Sequence, residues 1–195
     1  MTHHFEPGRD LARIALFAAL IAALGMVTIP LPTGVPLTAQ TLGVMLAGTV
    51  LGPRKAPLAA LLLLALAAVG LPVLAGGRGG IGVFVGPTAG YLLGWVVGVV
   101  VIGLIARSGR LSWWRTGLAS VIGGIAVIYL CGIPIQALVL GMDLRAAALS
   151  SVVFLPGDLL KAVAATMLTL AVHRAYPAAF GRGRASVAPG PAHAV

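Results

Sequence analysis

IALFAALIAALGMVTIPLPTGVPLTAQTLGVMLAGTVLGP, residues 14–53, runs for 40 residues without a charged side chain. About 20 apolar residues cross a bilayer as one helix, so the run holds two. Pro30, Pro32, Gly34 and Pro36 break it in the middle. Further uncharged runs occupy 56–77, 79–106, 116–142, 146–157 and 162–173. Of the 195 residues 59% are hydrophobic and 9% charged, whereas soluble domains run near 25% charged. The chain therefore reads as an all-α membrane protein with six transmembrane helices, near 11–29, 39–53, 56–74, 86–106, 115–134 and 157–175. The second is short, which implies tilt or a partly buried helix. Residues 135–156 are too long for a tight turn and apolar enough to fold back onto the bundle. Residues 1–10 form an N-terminal segment, 11–175 the membrane domain and 176–195 a tail, disordered from Gly181 on by its Arg, Ala, Gly and Pro content.

Basic residues orient the bundle. With six spans both termini share a side, which collects Arg9, Arg13, Arg54, Lys55, Arg107, Arg110, Arg115, Arg174, Arg182 and Arg184, while the other side has Arg78 and Arg145. Cytoplasmic loops are enriched in Lys and Arg, so both termini are expected in the cytoplasm. Trp113 and Trp114, beside Arg115, fall where an interfacial aromatic belt is expected. The net charge of +9 comes from basic residues scattered at the ends of apolar runs, which read as topology signals rather than a nucleic-acid surface.

One pair of charges escapes this pattern. FLPGDLLKA, 154–162, sets Asp158 and Lys161 one helical turn apart in a segment otherwise apolar through Val172. Each costs about 2.5–3.5 kcal/mol at the centre of a membrane helix on insertion scales, so an intramembrane pair points to function. Three residues apart they share a face, where they can pair and still offer an acceptor and a donor. A packing ion pair, or an Asp favoured in a first helical turn, is the plainer alternative. PLPTGVPLTAQ at 30–40, GGRGGIGVFVGPTAGY at 76–91 and FLPGDLLK all fall at the outer ends of their helices. Thr38, Gln40, Thr88, Tyr91, Asp158 and Lys161 are then the polar complement of an outward-opening, largely apolar pocket, with Arg78 at its rim. Taken singly, Thr38 and Gln40 could cap a helix and Tyr91 could anchor at the interface.

Small residues form two ridges. Gly86, Gly90, Gly94 and Gly98 recur every fourth residue in the fourth span, and Ala15, Ala19 and Ala23 in the first, with Ala18 and Ala22 beside them. Both let another backbone approach closely. Internal packing accounts for either, and the alanine face could equally dock a partner membrane protein.

Several chemistries lack their residues. The two lysines, Lys55 and Lys161, leave no GK[ST] phosphate loop, so the chain alone cannot drive transport by such an ATPase. No HExxH or GxSxG occurs, the four histidines lie at the cytoplasmic side or in the tails, and Cys131 stands alone in an apolar span. No enzyme activity or cofactor is implied.

The combination of PLTAQTLGVMLAG at 36–48, GGRGGIGVFVGPTAGYLLG at 76–94 and FLPGDLLKA at 154–162 resembles BioY, the biotin-binding S components of energy-coupling factor (ECF) transporters, across about residues 10–175. The resemblance implies a multi-pass protein of the cell (inner) membrane that captures biotin from outside. Its partners would be a transmembrane coupling subunit and two ABC-type ATPases, besides the lipid bilayer, with no nucleic acid. It assigns Asp158 and Lys161 to the biotin site, together with residues of the glycine-rich segment such as Gly86, Thr88 and Tyr91. It also likens the Ala15, Ala19 and Ala23 face to the surface offered to the coupling subunit. Ala89 stands where family members often carry a second Gly after GPT. Biotin has a polar ureido ring, an apolar body and one carboxylate, which suits such a pocket. Asp158 would accept from a ureido N–H, Lys161 would meet the ureido oxygen or the carboxylate, and Arg78 is the other candidate for the carboxylate. A stand-alone secondary transporter of a small organic anion, with Asp158 and Lys161 as a relay, is the rival reading.

Overall fold

The computed structural model describes residues 7–180. In chain order the helices are α1 (Pro7–Gly25), α2 (Gln40–Leu51), α3 (Ala56–Ala68), α4 (Ala89–Arg107), α5 (Trp113–Val121), α6 (Ile128–Leu140), α7 (Leu144–Ser151) and α8 (Leu155–Ala175). A π-helical segment, Ile122–Val127, joins α5 to α6 without a break, and a 3-10 turn, Val152–Phe154, joins α7 to α8. Two-residue strands, β1 (Thr28–Ile29) and β2 (Leu37–Thr38), pair antiparallel between α1 and α2.

Among the described residues, three helical stretches are long and apolar enough to cross a membrane: Ala89–Arg107, Trp113–Leu140 and Leu144–Ala175. α1 is 19 residues long, with Arg9, Asp10 and Arg13 in its first turns. At about 1.5 Å per residue, the 12 residues of α2 extend only ~18 Å against a ~30 Å hydrocarbon core. The burial of α2 explains its tolerance: from Gly43 to Leu51 every residue is buried, because α1, α4 and α8 pack around it. The expected fifth span, 115–134, is longer than foreseen. The helix runs on past Pro134 to Leu140, since in apolar surroundings a continuous helix still satisfies more main-chain groups than a loop does. The stretch 135–156, expected to fold back as a connection, is instead the end of α6, then α7 and the 3-10 turn.

Glycine lets α4 and α6 touch backbone to backbone. A Cβ at Gly94 would lie 2.9 Å from the Ile128 Cα, and one at Gly98 2.6 Å from the Gly123 carbonyl oxygen. Gly86 precedes α4, so the glycine ridge within the helix has three members rather than the expected four. On α1 the inward face is Ile14, Ala18 and Ile21, whereas Ala15, Ala19 and Ala23 are exposed.

The ends of α1 and α8 meet at one end of the bundle. Lys55 forms an ion pair with the buried Asp10. Arg9 donates to the Tyr176 hydroxyl (2.8 Å) and Arg13 to the Ala178 carbonyl (3.0 Å). Pro177–Phe180 is a turn of 3-10 helix inside the stretch expected to be tail; its Phe180 is buried edge-on to His173, with ring centroids 4.9 Å apart. The expectation of disorder from Gly181 on lies outside the described residues.

Candidate functional site

At the opposite end, three segments, two of them irregular and the third the start of α8, meet beside the first turns of α2 and α4. The first is the strap between α1 and α2, where Thr28 pairs with Thr38 and Ile29 with Leu37, and Gly34 takes the turn at φ 77°. The second, between α3 and α4, needs glycine. Gly76, Gly77 and Gly80 adopt φ of 65°, 76° and 87°, which side chains with a Cβ disfavour. The third is Phe154–Lys161, where Pro156 sits in the first turn of α8, a position that needs no main-chain N–H.

These segments line a cavity whose walls are chiefly apolar: Val35, Pro36, Leu37, Leu74, Leu92, Trp95, Ile128 and Phe154. The space open to the centre of a water molecule is about 70 Å³, several times the ~10–15 Å³ that one bound water occupies. A groove beside it shares Pro36, Ala75 and Arg78, so Arg78 stands between the two.

The charged pair lies on the cavity wall. Lys161 Nζ donates to Asp158 Oδ1 at 2.8 Å and to Thr41 Oγ1 at 3.0 Å, and Thr41 donates in turn to Asp158 Oδ1 at 3.1 Å. Tyr129 OH donates to the other carboxylate oxygen, Oδ2, at 2.6 Å. Asp158 is 4% exposed, a depth at which an unpaired carboxylate is expensive. A carboxylate has about four lone-pair sites and an ammonium three hydrogens. Three acceptor sites and two hydrogens are used here, so the cluster still offers about one acceptor and one donor.

A second polar network backs the cavity. Tyr91 OH donates to Gln136 Oε1 at 2.7 Å and lies 2.9 Å from Ser151 Oγ. Gln136 Nε2 donates to the Thr33 carbonyl and to Ser150 Oγ, each at 3.3 Å. Tyr91 therefore presents its ring to the cavity, edge-on to Tyr129 with centroids 6.1 Å apart.

Of the residues expected from the sequence, Thr38, Gln40, Arg78, Thr88, Tyr91, Asp158 and Lys161 all line the cavity, and Gly86 lies outside the lining. Several are committed elsewhere. Gln40 Nε2 donates to the Ile21 and Val73 carbonyls (3.3 Å each), Thr38 Oγ1 accepts from Gln40 N (3.3 Å), and Arg78 Nε donates to the Ala75 carbonyl (3.2 Å). Thr41, Tyr129 and Gln136 were missed. Thr41 follows Gln40 in a stretch already singled out, so its neighbourhood was a signal. Tyr129 and Gln136 sit mid-run in an apolar helix, where nothing in the order of residues announces which way they face.

Residues 1–178 match the BioY family. A Rhizobium etli protein named biotin transporter BioY is 48% identical over 179 residues, 87% of this chain and 95% of its own length. A protein of the same name from Rhodobacter capsulatus is 46% identical over 183 residues, 88% of this chain and 96% of its own. Among solved structures, the S-component for biotin from an ECF-type ABC transporter superposes with a TM-score of 0.82 at 28% identity, over 89% of this chain and 95% of that one.

Proposed function

Since the chain belongs to the BioY family, we propose that it is the substrate-capture subunit of a biotin importer, holding biotin in the cavity lined by Asp158 and Lys161. The observation that carries this reading is the composition of that wall. Its pair of charges is closed on Thr41 and Tyr129, keeps about one acceptor and one donor, and lies in otherwise apolar surroundings. A cyclic urea offers the complementary N–H and C=O, and the thioether ring and chain of biotin suit Trp95, Leu92 and Ile128. Arg78, between the cavity and the adjoining groove, faces the carboxylate end. Thr38, Gln40, Thr88 and Tyr91 shape the wall, and Gly86 belongs to the loop that closes it.

α1, α2, α3, α4, the α5–α6 rod and α8 make six spans, with both termini cytoplasmic and the cavity facing out of the cell (inner) membrane. The ten-to-two distribution of basic residues supports that orientation. A transmembrane coupling subunit docks on Ala15, Ala19 and Ala23, and two ABC-type ATPases supply the energy that a chain without a phosphate loop lacks.

Equilibrium binding of radiolabelled biotin to the purified protein tests the site. One saturable site per chain is expected, with Asp158→Asn and Lys161→Ala each weakening it roughly a hundredfold, as breaking a buried charged pair implies. Parent-like binding by both variants would overturn the assignment. Uptake by proteoliposomes given only a pH gradient would favour the stand-alone carrier instead.

A further inference from the structure

Among the described residues, two of the three partners of Asp158, Lys161 and Thr41, sit on Oδ1, and Oδ2 accepts from Tyr129 alone. With about two lone pairs per carboxylate oxygen, the acceptor left for a ligand is on Oδ2. The Tyr129 hydroxyl, by taking one of its two lone pairs, fixes where the other points. Tyr129 also lines the cavity, but its hydroxyl hydrogen is committed to Asp158.

What brings Tyr129 to this position is the π segment. Gly98 of α4 packs on both Gly123 and Ile128, a step of five residues along the facing helix, where an α-helix repeats every three or four. Each residue advances an α-helix by roughly 100°, and a π turn holds one residue more than an α turn. Were the same residues wound as a regular α-helix throughout, Tyr129 would point where Leu130 now points, and Leu130 is 76% exposed. Gly123 and Gly124 permit the wider turn to nestle between Ile102 and Met45.

We infer that Tyr129, placed by the π turn, is a positioning residue for the substrate: it aims the free lone pair of Asp158 at the donor of a urea-type ligand. The inference rests on Asp158 accepting from biotin, and the test separates the two claims. Biotin binding is measured for the parent, Tyr129→Phe, Asp158→Asn and the double variant, with ligand concentrations raised to reach the weaker sites. Thermal unfolding of each confirms a folded protein.

Tyr129→Phe should bind about tenfold more weakly or worse, the loss expected for a hydrogen bond to a charged group. In the Asp158→Asn background the same change should cost less than about twofold, because a residue acting through another loses its effect with it. Tyr129→His, which keeps a ring donor, should recover part of the affinity. Parent-like affinity in Tyr129→Phe while Asp158→Asn is impaired overturns the positioning role and leaves the site intact. Equal losses in both backgrounds overturn it too, by showing that Tyr129 acts independently of Asp158. Parent-like binding by Asp158→Asn would sink the reading beneath.

Discussion

Gln40 donates to the carbonyls of Ile21 and Val73 from a position 1% exposed, and so rivets α1 and the glycine-rich loop to the first turn of α2. Replacing it with Leu leaves the Val73 carbonyl, which no helix serves, short of a donor at about 1–3 kcal/mol for a buried group, while the Ile21 carbonyl keeps its bond within α1. For a chain of this size that corresponds to a melting temperature several degrees lower. Biotin affinity of the folded fraction should stay within a few-fold of the parent, since both donors serve the frame. Thermal unfolding with and without biotin checks both halves, and a large affinity loss with unchanged stability would make Gln40 a ligand contact. Asp158 and Lys161 could be read from the sequence because charge stands out in an apolar run. Thr41 and Tyr129 could not, because an uncharged hydroxyl in a membrane helix has no such contrast and its role depends on the side it faces.

Helix boundaries followed the same logic of contrast. The prolines and glycine of 30–36 announced the break between α1 and α2 because each removes a donor or frees a dihedral where a helix needs neither. Pro134 gave the opposite lesson: it sits within α6, and the helix continues. The length of α2 was legible, but its place at the centre of the bundle was not, since a uniformly apolar helix carries no facing signal. On α1 the split is clear, with Ile14, Ala18 and Ile21 inside and Ala15, Ala19 and Ala23 outside. A bulky side chain on the outer face should therefore leave the cavity untouched. Ala19→Trp is expected to keep biotin binding while lowering ATP-dependent uptake and co-purification with a coupling subunit, because small residues permit close helix approach and large ones prevent it. Loss of binding together with uptake would place Ala19 in the internal packing. No change in either would leave that face to lipid.

At the scale of the whole molecule, the cavity end and the end carrying Asp10, Lys55 and Arg107 lie at opposite poles of α2. In a Cys131→Ala background, cysteines replacing Ile81 (74% exposed) and Ser108, an exposed residue at the end of α4, should react oppositely with an impermeant thiol reagent on intact cells. Labelling at 81 alone is expected, and labelling at 108 alone would invert the bundle. Hydropathy and the basic residues sufficed to propose that arrangement from the sequence, because the bilayer imposes it on every helix alike. The convergence of 30–40, 76–91 and 154–161 on one cavity was legible for the same reason, as all three fall at the same ends of their spans. The widened turn at Ile122–Val127 has a consequence for descent. One residue more is accommodated there without shifting Thr116 and Ser120 before it or Gly132 after it out of the buried face. A single-codon insertion at that point is thus a change the fold absorbs in place. Relatives that lack it should show a one-position gap within 122–127 and an unbroken α-helix, with the residue aligned with Tyr129 still on the same side of the helix.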